Sequence, residues 1–189
     1  MEGLKSKHSY VRQLTLTAIM AALSVVFTRF LSFYIFGNTI RISFGMVPIQ
    51  LTGLLLGPIW GGLCGLVADL VGILINPMGT PFWGFTLSAV LQGVIPGFIA
   101  MLFLGKGKKT WQEVLSSVAL TSVFIGLLLQ SLWLHILMKR PYVEVLAVRA
   151  LPGFISAIIY FMLELPLITY LRKLMPEFGT KKKLKTSKS

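Results

Sequence analysis

Carboxylates are scarce in this sequence. Six Asp and Glu stand against 18 Lys and Arg in 189 residues. Among Glu2, Asp69, Glu113, Glu144, Glu164 and Glu177 no two form the close pair that general acid–base hydrolysis uses. Cysteine is scarcer still. Cys64 has no second cysteine to bond, which excludes an internal disulfide framework, and its glycine-rich setting reads as a small packing residue. His8 and His135 have no His or Cys at ligand spacing, so no metal site is expected. The phosphate-cradling GxxxxGK[ST] loop is absent, which excludes ATP hydrolysis by that route, and so is HExxH. Ser88, Ser116 and Ser131 lack a base at a readable spacing. These absences leave no footing for an enzyme, and no cofactor is expected.

Apolar sequence fills the space instead. Hydrophobic residues make up 55% of the chain and mean hydropathy is +0.80. The charged share is 13%, about half that of a soluble domain. Repeated runs long enough to cross a bilayer predict an all-α integral membrane protein, a six-transmembrane-helix bundle with no room for a soluble domain. The net charge of +12 is not spread as a nucleic-acid surface would need. Lys5, Lys7 and Arg12 precede the first apolar run. Lys106, Lys108 and Lys109 fill a mid-chain gap. Arg172, Lys173, Lys181, Lys182, Lys183, Lys185 and Lys188 close the chain. Basic clusters flanking spans mark cytoplasmic segments. The expected organisation is a cytoplasmic segment over 1–11, a transmembrane domain over 12–174 and a basic cytoplasmic tail over 175–189 drawn to anionic headgroups, with both termini inside. Lys139 and Arg140 fall on the outer side, against this rule.

The runs predict helices near 12–35, 44–56, 59–75, 84–104, 112–137 and 144–172. Gly37-Asn38 reads as a turn, Gly57-Pro58 as a tight break and Pro96-Gly97 as a kink. The second helix is short for a span and must tilt or be covered by neighbours. A re-entrant unit over 42–75 is the rival topology.

The block from Arg41 to Gly97 organises the rest. Gly57, Gly61 and Gly65 stand four apart, and the next step of four lands on Asp69. Small residues at that spacing let helix backbones approach in lipid, so Asp69 on the same stripe faces protein or a cavity. It fits two roles, a ligand contact or a hydrogen-bonded clamp between helices. Glu164 is expected to cap a helix or pair with Arg172. Arg29, Arg41 and Arg149 fall towards the outer half, as do Phe33, Tyr34, Phe82, Trp83, Phe85, Trp133 and Tyr142. Guanidinium groups bind carboxylates bidentately, and aromatic rings stack on flat heterocycles. With Asp69 accepting from ring nitrogens, the set suits an anionic ligand with an aromatic body. An interfacial aromatic belt and, for Arg29, snorkelling to headgroups are the alternatives. The candidate binding residues are therefore Arg29, Arg41, Asp69, Phe82, Trp83, Phe85, Trp133 and Arg149. Ala18 and Ala22 form a separate small-xxx-small pair on the first helix.

Several motifs carry a family likeness: Pro48-Ile49, Leu54-Leu55-Leu56-Gly57-Pro58, Gly61, Gly65, Asp69-Leu70, Pro77, Gly79, Gly84 to Ala89, Gly93 and Ile95-Pro96-Gly97. Leu132-Trp133-Leu134 and Arg149-Ala150-Leu151 add to them. Together they resemble the substrate-binding S components of energy-coupling factor (ECF) vitamin transporters, most closely the folate branch. The resemblance implies a six-helix bundle that takes a vitamin from outside. It also implies docking on a transmembrane coupling subunit that sits on two ATPase subunits, with Ala18 and Ala22 matching the docking motif. Gln130-Ser131 departs from the expected asparagine-threonine, and KRPYVEVLAV over 139–148 is less familiar. Pantothenate and an autonomous secondary transporter are the alternative readings.

Overall fold

The computed structural model describes residues 2–30, 32–35, 40–75, 82–104 and 110–174, with side chains over 10–30, 43–75, 82–103 and 110–174. Helix α1 spans Glu2–Arg29. Strands β1 (Ser32–Ile35) and β2 (Ile40–Ser43) follow as an antiparallel hairpin, with Ser32 opposite Ser43 and Tyr34 opposite Arg41. Then come α2 (Met46–Leu56), α3 (Pro58–Ile75) and α4 (Trp83–Leu104). Helix α5 runs through Thr110–Met138 and is wound as a π-helix over Thr121–Leu129. Helix α6 covers Tyr142–Leu174. Among the described residues five helices have the length and apolarity of membrane spans, and α2 is a sixth, shorter one.

Two expectations about the first helix need correction. It begins at Glu2, not near 12, so the basic segment is helical. It also ends at Arg29, not near 35, because Ser32–Ile35 pairs with Ile40–Ser43. The two short segments there satisfy their backbone groups across a ladder. The Gly37-Asn38 turn lies outside the described residues, as do the 76–81 and 105–109 connections and the 175–189 tail.

Helix α2 sits at the centre. Val47 through Leu55 are all buried, as an all-round apolar helix must be. Leu51 and Leu54 meet Val114 and Val118 of α5 and Tyr160 and Ile168 of α6 in one core cluster. On its other side Ile49 joins Ala21 and Val25 of α1 and Cys64 and Ala68 of α3. The short helix is covered by neighbours rather than tilted into lipid.

Lipid supplies no hydrophobic drive between helices, so close backbone approach supplies the packing. Gly53, Gly61 and Gly93 bring α2, α3 and α4 together at one junction. A Cβ added at Gly61 would sit 2.3 Å from the Gly93 carbonyl oxygen and 2.7 Å from Gly53 Cα. One turn on, Gly65 lies against Ala89 in the same way. The α2–α3 break is built on Gly57, whose φ of 100° favours glycine.

A largely buried ion pair ties the ends of α5 and α6 that lie on the side of the termini. Arg172 Nη2 and Nη1 donate to Glu113 Oε1 at 2.6 Å and Oε2 at 2.8 Å, and Nη2 reaches the Leu54 carbonyl at 3.4 Å. Glu164 is therefore not the partner of Arg172. Eight residues apart on one helix, their side chains are too far apart to meet. Glu164 is fully buried beside the Gln50 amide, which donates to its carboxylate at 2.7 and 3.2 Å when the amide nitrogen is turned towards it.

Candidate functional site

A cavity of about 470 Å³ opens among all six helices, within the ~300–1,000 Å³ range of small-molecule sites. Its walls come from the C-terminal parts of α1 and α3 and the N-terminal parts of α2, α4 and α6. Since the helices alternate in direction, these segments share the end of the bundle remote from the termini. The hairpin lies at that end too, and Ser43 contributes to the wall.

Charged groups enter from two sides. On the α1–α3 side Arg29 packs its guanidinium on Gly72, where an added Cβ would lie 2.9 Å from Nε and Nη2. Asp69 stands one turn before Gly72 and also lines the cavity. Its Oδ2 is buried without a hydrogen-bond partner among the described residues. The glycine stripe thus does two things in turn. Gly61 and Gly65 close α3 on α4, and Asp69 emerges where the helices part. On the opposite side Arg149 of α6 donates from Nη2 to Gln130 Oε1 of α5 at 2.5 Å. Its Nε is buried with no partner among the described residues.

The aromatic residues divide. Phe85 lines the cavity. Phe82 packs edge-on against Phe85, with centroids 6.0 Å apart, and against Trp133 at 5.5 Å. Trp133 Nε1 donates to Ser88 Oγ at 3.0 Å, and Ser88 is itself a wall residue. Phe82 and Trp133 therefore back the wall. Trp83 does not join them: it is 83% exposed and outside the lining. Two residues apart on a helix, Trp83 and Phe85 point in nearly opposite directions. Arg41 is placed by its strand register opposite Tyr34, and its side chain lies outside the described set, as do those of Phe33 and Tyr34. Lys139 and Arg140 stay out of the wall. Lys139 caps α5 with φ 53°, and Arg140 makes an exposed pair with Glu144 at 3.5 Å.

Neutral polar residues complete the lining. Ser24 and Thr28 stand four apart on α1, and Ser88 and Gln92 four apart on α4. Gln50, Thr121 and Gln130 add amide and hydroxyl groups, and Tyr160 donates to the Ser43 carbonyl at 2.9 Å. Sequence reasoning missed most of these. The polar pairs four apart within apolar helices were the available signal.

Comparison with known proteins places this architecture. The profile of the family described as ECF-type riboflavin transporter, S component, matches residues 8–173. The chain belongs to the ECF S components. It is 40% identical over 134 residues to the folate transporter FolT of Clostridium novyi (strain NT), covering 71% of this chain and 74% of that one. With the folate transporter FolT of Leuconostoc mesenteroides identity is 29% over 123 residues, covering 65% and 63%. The crystal structure of FolT bound with folic acid superposes with a TM-score of 0.65 at 33% identity, over 84% of this chain and 90% of that one. The S component of a bacterial ECF transporter matches at a TM-score of 0.60 and 18% identity, over 86% and 99%. That last match speaks to the fold alone. Membership makes this S component a membrane transport subunit and not an enzyme.

Proposed function

We propose that this chain is a folate-binding S component, which captures folate from outside and delivers it inward when docked on an ATP-driven coupling module. The observation that carries the reading is the cavity with guanidinium groups on two sides and the Asp69 carboxylate of α3 in its wall. Folate has a carboxylate-bearing glutamate tail for the arginines and a flat pterin for Phe85. The pterin edge offers N–H donors to Asp69, whose Oδ2 is buried and otherwise unsatisfied. Riboflavin, after which the family profile is named, carries no carboxylate and leaves Arg149 without an anion. Pantothenate has a carboxylate but no ring, and leaves the Phe85 side unused. The relatives whose names specify a ligand point the same way.

Transport needs the rest of the assembly. The basic segments put the termini in the cytoplasm and the cavity mouth outside the cell membrane. Ala18 and Ala22 are both exposed on α1, one turn apart. Such a smooth face suits the helices of a transmembrane coupling subunit carried by two ATPase subunits. Capture then requires no ATP, whereas release inside does.

The test is tryptophan emission of the purified chain titrated with folic acid, pantothenate and riboflavin. Trp133 backs the wall through Ser88, so folic acid is expected to quench it, and Trp133→Phe to remove most of that change. Pantothenate should leave emission and thermal stability unchanged. Stabilisation by riboflavin but not by folic acid would overturn the reading. Ala18→Trp should abolish uptake in cells while sparing binding; loss of both would report a folding defect, and uptake at the wild-type rate would refute the docking role.

A further inference from the structure

Two helix-borne arginines, Arg172 and Arg149, are held differently, and the difference concerns charge. Arg172 is met by a carboxylate: two hydrogen bonds at 2.6 and 2.8 Å to Glu113 neutralise it in a structural clamp. Arg149 is met by an amide. Its hydrogen bond goes to Gln130 Oε1 at 2.5 Å, and among the described residues no carboxylate pairs with it. Glu144, the acid nearest in sequence, is turned to Arg140. A carboxamide oxygen orients a guanidinium as a carboxylate does but brings no compensating charge. The placement of Gln130 follows from the π winding of α5. Thr121, Gly126 and Gln130, five and four residues apart, all face the cavity.

We infer that Gln130 is a neutral positioning residue that aims Arg149 into the cavity while leaving its positive charge available to an anionic ligand. This rests on the folate reading of the same cavity and deepens it: Gln130 is a specificity determinant for carboxylate-bearing ligands. Arg149 Nε, buried and unsatisfied among the described residues, supplies a further donor on the same guanidinium plane. Holding one Nη by an amide fixes that plane before the ligand arrives, which lowers the ordering cost of binding.

The experiment compares Gln130→Glu, Gln130→Met and Arg149→Gln by folic acid affinity and thermal stability of the purified full chain. If Gln130 only holds the fold through its hydrogen bond, methionine, which loses that bond, is the worse replacement. If its neutrality matters, glutamate is worse, because it keeps the contact but neutralises Arg149. The expected order is a loss of about tenfold or more for Gln130→Glu, falling to within about threefold of Arg149→Gln, and a smaller loss for Gln130→Met. Melting temperature should be preserved in Gln130→Glu. Gln130→Glu binding as tightly as the wild type, or better than Gln130→Met, overturns the inference, as does Arg149→Gln binding normally. Failure of the wild-type chain to bind folic acid sinks the folate reading instead, and is distinguishable because no variant enters that measurement.

Discussion

Replacing Gly93 by alanine puts the packing account at most risk. The new Cβ would lie 1.9 Å from the Gly61 carbonyl oxygen, 2.2 Å from its carbon and 2.9 Å from its Cα. All three atoms are backbone, so no side chain can swing aside. Reaching ordinary van der Waals contact requires α3 and α4 to separate by about 1.5 Å. The same movement disturbs Gly53, whose own Cβ position is 2.2 Å from the Gly93 carbonyl oxygen. Overpacking of this kind costs about 3 kcal/mol. For a chain of this size that lowers the melting temperature by about 6–12 °C. Thermal unfolding of detergent-purified protein reads it directly. Gly153→Ala is the internal control, since a Cβ there meets nothing within 4 Å, and it should stay within about 2 °C of the wild type. If the two variants melt together, the glycine junction is not what closes these helices.

Gly72→Ala acts differently, because the three atoms nearest its Cβ all belong to the Arg29 side chain, which can move. Folding should survive, and folic acid affinity should fall about three- to tenfold by equilibrium titration. Glu113→Ala should cost about 3 kcal/mol in thermal unfolding by leaving the half-buried Arg172 without its carboxylate, and replacing both partners with apolar residues should recover most of it. Gly57→Ala should cost about 2 kcal/mol through its φ of 100° and ψ of 178° alone, as there is space around it for a methyl group. Titrated with folic acid, Trp83→Phe should quench like the wild type, since Trp83 faces away from the cavity.

Long apolar runs and their punctuation made the helices legible. Pro48, Gly57-Pro58 and Pro141 mark starts and breaks that the backbone follows. The end of α1 was hidden because apolar residues continue past Arg29 into Ser32–Ile35, and run length cannot tell a helix from a four-residue strand. Asp69, Arg29 and Arg149 stood out because ionised groups are rare in apolar helices, and all three reach one cavity. Gln50, Ser88 and Gln92 stood out less, because neutral polar groups are cheaper to bury. The partner of Arg172 was out of reach of local spacing, since Glu113 lies 59 residues away and only the folded bundle joins them. The π winding of α5 left no mark in the sequence pattern, yet it sets which face carries Gln130.

Binding of labelled folic acid to the purified chain alone, in lipid nanodiscs and without ATP, tests the central claim most directly. The account predicts saturable binding of one ligand per chain, displaced by unlabelled folic acid, untouched by riboflavin and lost in Arg149→Gln. Displacement by riboflavin, or folic acid binding that survives Arg149→Gln undiminished, would contradict it.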